Sequence, residues 1–134
     1  MNNSYLITDT GAVRANAEHI IASLPEGTKL IPVLKDDAYG LGIVPMAKAL
    51  CSLPEVEMVA AAHFSEGAAL RHAGIDRDIL IMGNLISFQI QDAVGLGLTI
   101  TAGRPGIASA VSDAAEKLGV RAKIHIKIDT GLHR

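Results

Sequence analysis

The sequence predicts an α/β fold built around a parallel β-sheet. Short apolar runs of strand length alternate along the chain with longer segments in which apolar residues recur at helical spacing, as in successive βαβ units. Hydrophobic residues make up 49% of the 134 residues while aromatic residues are only 3%. This composition suits strands that helices cover on both faces with aliphatic side chains.

Five strands are predicted, with helices between them. The first helix begins after the capping residues 8–10 and ends before Pro25. Pro105 suits the first turn of a helix, and Gly74 and Gly119 are suitable stops after helices. Pro32, which cannot donate to a sheet ladder, is a local conflict in the first strand. The predicted strands cover 29–35, 56–62, 79–83, 98–101 and 122–129, and the later helices cover 43–50, 65–73, 87–94 and 105–118.

Composition excludes several classes of function. The net charge is −2 and no basic patch is interleaved with aromatic residues, so nucleic acid is not an expected partner. Cys51 is the single cysteine, which excludes an internal disulfide and suits a reducing compartment. No signal peptide and no apolar run of about 20 residues is present, so we expect a cytoplasmic protein without a membrane segment. The histidines lack a metal-ligand spacing, and no metal site is predicted.

A lysine follows the first predicted strand, in the stretch Lys35-Asp36-Asp37-Ala38-Tyr39-Gly40-Leu41-Gly42. The carboxyl end of a buried strand is where α/β barrels carry their chemistry. A desolvated lysine amine can attack a carbonyl and hold it as a Schiff base. The alternative is a lysine whose stem lies on apolar surface while its charge stays in water.

The end of the chain carries a second polar stretch, on the last predicted strand. Ile124, Ile126 and Ile128 share one face of this strand, and Lys123, His125, Lys127 and Asp129 share the other. In a parallel sheet both faces tend to be covered, so the isoleucines would meet helices and the charged face would point into a barrel. The alternative is a half-exposed strand with one face in water.

Together these stretches resemble the alanine racemases, the fold-type III pyridoxal-phosphate enzymes. The lysine motif of that family reads like Lys-Ala-Asp-Ala-Tyr-Gly-His-Gly, and its later motif like His-Leu-Lys-x-Asp-Thr-Gly-Met-x-Arg. The later motif corresponds to the ten residues from His125 to Arg134. Residues 64–75 and 7–16 also resemble family segments. Asp36, Leu41 and Leu132 depart from the family pattern, where a small residue, a histidine and a methionine stand.

The resemblance implies a function and a role for each matching residue. The activity would be pyridoxal 5'-phosphate-dependent racemisation of L-alanine and D-alanine, which supplies D-alanine for peptidoglycan. Lys35 would be the Schiff-base lysine and one of two catalytic bases, and Tyr39 would bind the cofactor phosphate. Arg134 would bind the cofactor and the substrate carboxylate. Lys127 matches a lysine that is often carbamylated, and carbamylation would let it pair with Arg134 instead of repelling it. A homodimer is implied for the full-length protein.

The chain is short for the fold that the resemblance implies. A complete TIM (β/α)8 barrel needs about 250 residues, whereas this chain has 134. We therefore expect residues 1–134 to form the N-terminal part of such a barrel, about five βα units. The rest of the barrel and the C-terminal β domain, whose tyrosine would be the second base in the partner subunit, would be absent. The isolated fragment would then be inactive.

Three other interpretations remain open. The chain could belong to a racemase for serine or a basic amino acid, since the motifs hold the cofactor and do not select the side chain. It could also be a non-catalytic remnant that binds pyridoxal phosphate. The third interpretation is an α/β domain without a cofactor.

Overall fold

A computed structural model describes residues 4–133 of the chain. Helices and strands alternate through most of it, as the sequence predicts. The elements are α1 (Thr10–Ser23), α2 (Lys35–Gly40), α3 (Ile43–Cys51), β1 (Met58–Ala61), α4 (Phe64–His72), β2 (Asp78–Ile81), α5 (Ser87–Gly95), β3 (Thr99–Ala102), α6 (Pro105–Leu118) and β4 (Lys123–Ile126).

The four strands form one parallel sheet in the order β1-β2-β3-β4. Each strand lies beside the next one along the chain, and a helix follows each of the first three. All the carboxyl ends of the strands therefore meet at one edge of the sheet. The parallel α/β architecture of a partial TIM barrel is confirmed, with four of the five predicted strands present.

The predicted first strand, residues 29–35, is wrong as a strand. Its segment runs beside β1 but forms one isolated bridge, between Val33 and Ala60. Two backbone bonds flank the bridge: Leu34 N donates to Ala60 O at 2.7 Å, and Ala60 N donates to Pro32 O at 2.8 Å. Pro32 has no N–H to extend the ladder, and the chain enters a helical turn at Lys35, so pairing stops there.

The helix ends agree with the predicted signals except at the start of α4. The Asp9 side chain caps α1 by accepting a hydrogen bond from Ala12 N at 3.0 Å. Helix α6 runs from Pro105 to Leu118, and Gly119 follows it with φ 66°. Helix α4 begins at Phe64 with His63 as its cap, so the predicted capping by Ser65 is wrong.

The core lies between the helices and the first three strands. It is aliphatic, as the composition predicts, and the side chains with at most 1% exposure include Val59, Leu70, Ile79, Ile81 and Ile100. Burial of this kind contributes roughly 1.5–3 kcal/mol for each large side chain. No helix within residues 4–133 is long and apolar enough to span a membrane.

Strand β4 differs from the expectation that both of its faces are covered. All four of its residues are exposed, and the exposed fraction is 41% for Ile124 and 75% for Ile126. The helices pack chiefly against β1, β2 and β3, and β4 is the last strand in the order of the described sheet. The isoleucines of β4 therefore stay exposed instead of being covered by helices within residues 4–133.

Candidate active site at the carboxyl ends of the strands

An open cleft of about 1070 Å³ lies where the strands end. Its wall is built from residues that follow successive strands: His63 after β1, Gly83 after β2, Thr101 near the end of β3, and Lys127 after β4. Lys35 completes it from the segment that runs beside β1. This is the edge of a parallel sheet at which α/β proteins bind ligands.

The structure brings three of the predicted site residues to this cleft, which Lys35, Tyr39 and Lys127 all line. Lys35 is half-buried, and its Nζ lies 5.7 Å from the centroid of the Tyr39 ring, within the range of a cation–π contact. Tyr39 is 72% exposed. Arg134, the fourth predicted site residue, lies outside the described residues.

Lys35 is followed by a left-handed helical turn, a conformation for which the lysine motif carries no obvious local signal. Residues 36–39 have φ values of 56°, 53°, 52° and 56°, although none is glycine. A left-handed helix costs about 1–2 kcal/mol per non-glycine residue, because Cβ crowds the following carbonyl oxygen. Strain of this kind persists only where surrounding contacts enforce it, and it concentrates at functional sites.

Two features at the end of the turn support it locally. Asp37 Oδ1 accepts a hydrogen bond from Ile43 N at 2.7 Å, and Gly42 N donates to Asp37 O at 3.0 Å. Gly40 and Gly42 have φ values of 84° and 91°, which favour glycine. The spacing of Asp37 and these glycines in the lysine motif therefore has a conformational reason.

Glu66 supports the beginning of the turn from outside it. Its Oε1 accepts hydrogen bonds from Asp36 N at 2.6 Å and Asp37 N at 3.4 Å. Its Oε2 accepts from Ala62 N and His63 N, both at 2.9 Å. Partial burial raises the pKa of Glu66, but the four backbone N–H groups lower it more, so the pKa lies below its ordinary value.

Glu66 was not identified as a site residue from the sequence. A glutamate at the third position of a helix is a capping signal, and its bond from His63 N fits that role. Its bonds to the lysine turn have no local signal, because they join residues that are 30 positions apart in the chain.

The last polar stretch divides into a strand and a turn. His125 pairs in register with Thr101, and Lys127 N extends the ladder by donating to Ala102 O at 3.0 Å. His125 and Lys127 line the cleft, but Ile126 and Ile128 line it as well, so the predicted division into an inward charged face and an outward isoleucine face does not hold at the end of this stretch. The predicted strand to residue 129 is wrong, because β4 ends at Ile126.

Asp129 therefore does not share the inward face as predicted. Its Oδ1 accepts hydrogen bonds from Gly131 N at 2.9 Å and His133 N at 3.1 Å, which close a turn. These bonds, the one from Gly131 first, hold the pKa of Asp129 below its ordinary value. In the described part of the chain, no three His, Cys, Asp or Glu side chains group as metal ligands.

The family profile described as "Alanine racemase, N-terminal domain" matches residues 8–134. The chain belongs to the alanine racemase family. Among curated relatives, an alanine racemase of Geobacter sulfurreducens is 37% identical over 126 residues, which is 94% of this chain and 33% of the relative. An alanine racemase of Streptococcus pyogenes serotype M5 is 38% identical over 124 residues, with 92% and 33% covered.

Solved structures of alanine racemases have the same fold over this region. The alanine racemase of Clostridium difficile 630 superposes with a TM-score of 0.87 at 35% identity, covering 91% of this chain and 32% of that one. The alanine racemase of Streptomyces coelicolor A3(2) gives 0.86 at 32% identity, covering 94% and 33%. The chain spans about a third of the length of these relatives.

Proposed function

We propose that this chain supplies the N-terminal barrel portion of an alanine racemase, which interconverts L-alanine and D-alanine with pyridoxal 5'-phosphate. The observation that carries the proposal is the placement of Lys35, Tyr39 and Lys127 on one cleft at the carboxyl ends of the strands. Family membership supports the reaction class. We also propose a cytoplasmic location, a homodimer in the full-length protein, and a role in making D-alanine for peptidoglycan.

The residues of the cleft fit the chemistry of the proposed cofactor. Pyridoxal phosphate offers an aldehyde to an amine and a phosphate to hydrogen-bond donors. The cleft provides the Lys35 amine and the Tyr39 hydroxyl, with Lys127 as a further amine in its lining. Its volume of about 1070 Å³ is slightly above the range of about 300–1,000 Å³ that small-molecule sites span.

Each proposed residue has a distinct task. Lys35 would hold the cofactor through Nζ and would serve as one of two bases, accepting or returning the substrate α-proton at that atom. The Tyr39 hydroxyl donates a hydrogen bond to the phosphate, and the Arg134 guanidinium binds the substrate carboxylate. When bound, the cofactor withdraws electrons from the carbon that loses the proton.

Lys127 is proposed to be carbamylated. As an ammonium it would repel a nearby Arg134 guanidinium in the assembled site, whereas a carbamate is an anion that can pair with Arg134 and orient it. Intact mass under native conditions measures this directly. A mass without the added carbamate would contradict the proposal.

The 134 residues alone are proposed to bind the cofactor without turnover. The resemblance to the family assigns the second base to a tyrosine of a C-terminal domain outside these residues, and one base can serve only one face of the substrate. Exchange of the alanine α-proton in deuterated water separates these outcomes. We expect negligible exchange by residues 1–134, and robust exchange would contradict this part of the proposal.

The test of cofactor binding is attachment at Lys35. The chain is incubated with pyridoxal phosphate, reduced with borohydride and digested, and the modified lysine is located by mass spectrometry. We expect modification at Lys35 and visible absorbance of the bound cofactor, both lost in Lys35→Ala. Lys117→Ala, at an exposed position of α6, is the matched control and should retain both. Equal modification of Lys35 and Lys117 in the wild type would refute the proposal.

A further inference from the structure

A single carboxylate joins the lysine turn to the neighbouring strand. Glu66 Oε1 accepts from Asp36 N and Asp37 N, at 2.6 and 3.4 Å. Its Oε2 accepts from Ala62 N and His63 N, both at 2.9 Å, in the connection between β1 and α4. Glu66 is half-buried, and its two oxygens between them accept from four backbone donors.

The left-handed turn needs such an acceptor at its start. The first N–H groups of any helical turn lack partners within the turn. Ala38 N donates a hydrogen bond to Leu34 O at 3.0 Å. Asp36 N and Asp37 N lie earlier in the turn and form no such backbone bond. The Glu66 carboxylate supplies an acceptor for both of these N–H groups. Hydrogen bonds to an ionised acceptor are about twice as strong as those between neutral groups.

Capping of α4 alone does not explain this arrangement. A capping glutamate needs one oxygen for the N–H of the cap residue, here His63. The second oxygen is free for solvent in such a helix end, whereas in Glu66 it faces the turn that begins beside Lys35. The side chain therefore has a task in each of two segments.

We propose that Glu66 is a positioning residue for the site: its carboxylate holds the left-handed turn against the β1–α4 connection and so sets how Lys35 and Tyr39 enter the cleft. This inference deepens the proposed function and rests on it for the role of Lys35. The geometric part, a shared acceptor for four amides, is independent of any cofactor.

Glu66→Gln tests the proposal, with Glu116→Gln as the matched control, because Glu116 is exposed on α6. A glutamine has one acceptor oxygen, and its NH₂ group would face the other pair of amides. We expect amide hydrogen exchange at Asp36 and Asp37 to accelerate about tenfold or more, since bonds to charged acceptors are the strong ones. Exchange in α6 should not change.

Attachment of pyridoxal phosphate gives the second readout. We expect the fraction modified at Lys35 to fall about tenfold in Glu66→Gln, with modification of Lys117 unchanged. A merely structural role would not change the ratio of Lys35 to Lys117 in the folded chain. Unchanged exchange at Asp36 together with an unchanged ratio would overturn the inference.

A pH titration of the wild-type chain decides the point without a substitution, including the case in which Glu66→Gln does not fold. The amide resonances of Asp36, Asp37, Ala62 and His63 should share one carboxyl titration, which should be absent from the amides of β3, a strand without carboxyl side chains. Four unrelated titrations would overturn the inference. If the wild type shows the common titration but no selective attachment at Lys35, the proposed function fails and the geometric part stands.

Discussion

Arg71 joins two loops at the end of the sheet opposite the cleft. Its Nε donates to Leu96 O at 2.9 Å and its Nη2 to Gly97 O at 3.3 Å, just before β3. Its Nη1 donates to the carbonyl oxygens of Ile75 and Arg77, just before β2. One guanidinium in α4 therefore satisfies carbonyl groups of both loops that lead into strands.

Arg71→Met should destabilise the chain substantially. Methionine keeps much of the aliphatic stem, so the change isolates the lost hydrogen bonds. A hydrogen bond to a charged group contributes about 1.5–3 kcal/mol in a protein. We count the bonds to Leu96 and Ile75 near the low end of this range and the two longer bonds as weak. The free energy of unfolding should then fall by about 2–4 kcal/mol. This is a large part of the roughly 5–15 kcal/mol by which domains are stable.

Arg14→Met is the matched control. Arg14 forms an exposed ion pair with Glu18 at 2.9 Å on α1, and such pairs are worth about 0.3–0.5 kcal/mol. Urea unfolding followed by circular dichroism measures both variants. Because Arg71 lies away from the cleft, attachment of pyridoxal phosphate at Lys35 should be unchanged in folded Arg71→Met. Equal unfolding midpoints for the two variants would refute the reasoning.

Three further predictions concern the cleft, the exposed strand and pH. Gly83→Ala should destabilise the chain and impair attachment at Lys35, because the added Cβ would meet the carbonyl oxygen of Ala62. Gly106→Ala in α6 has open space for its Cβ and should not lower the unfolding temperature, because alanine is the better helix former. Ile126→Lys should leave the unfolding midpoint unchanged, because Ile126 is 75% exposed. It should also reduce self-association, measured by sedimentation at high protein concentration. Stronger self-association of the variant would contradict this prediction. The pKa of Glu66 is lowered in the folded chain from its ordinary value of 4.5, so its contribution to stability is complete above that value and is lost as pH falls through the lowered pKa. The fall in unfolding midpoint at low pH should therefore be larger in the wild type than in Glu66→Gln, which keeps only the contributions of other carboxyls such as Asp129.

Local patterns predicted most of the secondary structure. Helix α6 has the predicted bounds because a proline at its start, a glycine after its end and apolar spacing between them are all local signals. The prediction of a strand at residues 29–35 was wrong because Pro32 has no backbone N–H to donate to the sheet ladder. The resemblance carried by the two motifs led to the correct family. Motifs of this kind are short, and their residues lie close together in the chain.

The conformation of the lysine motif and the exposure of β4 were decided only by tertiary structure. The left-handed turn is supported by Glu66, which lies 30 positions away from Asp36, and no periodicity or propensity within residues 35–42 reports that contact. Alternation predicted His125 and Lys127 for the cleft, but it did not predict that Ile126 also lines the cleft and stays exposed, because burial depends on which elements pack nearby. The amino-acid sequence by itself therefore determines where strands, helices and chemical groups occur, because the signals for these features lie close together in the chain. The contacts between distant segments determine how Lys35 is held.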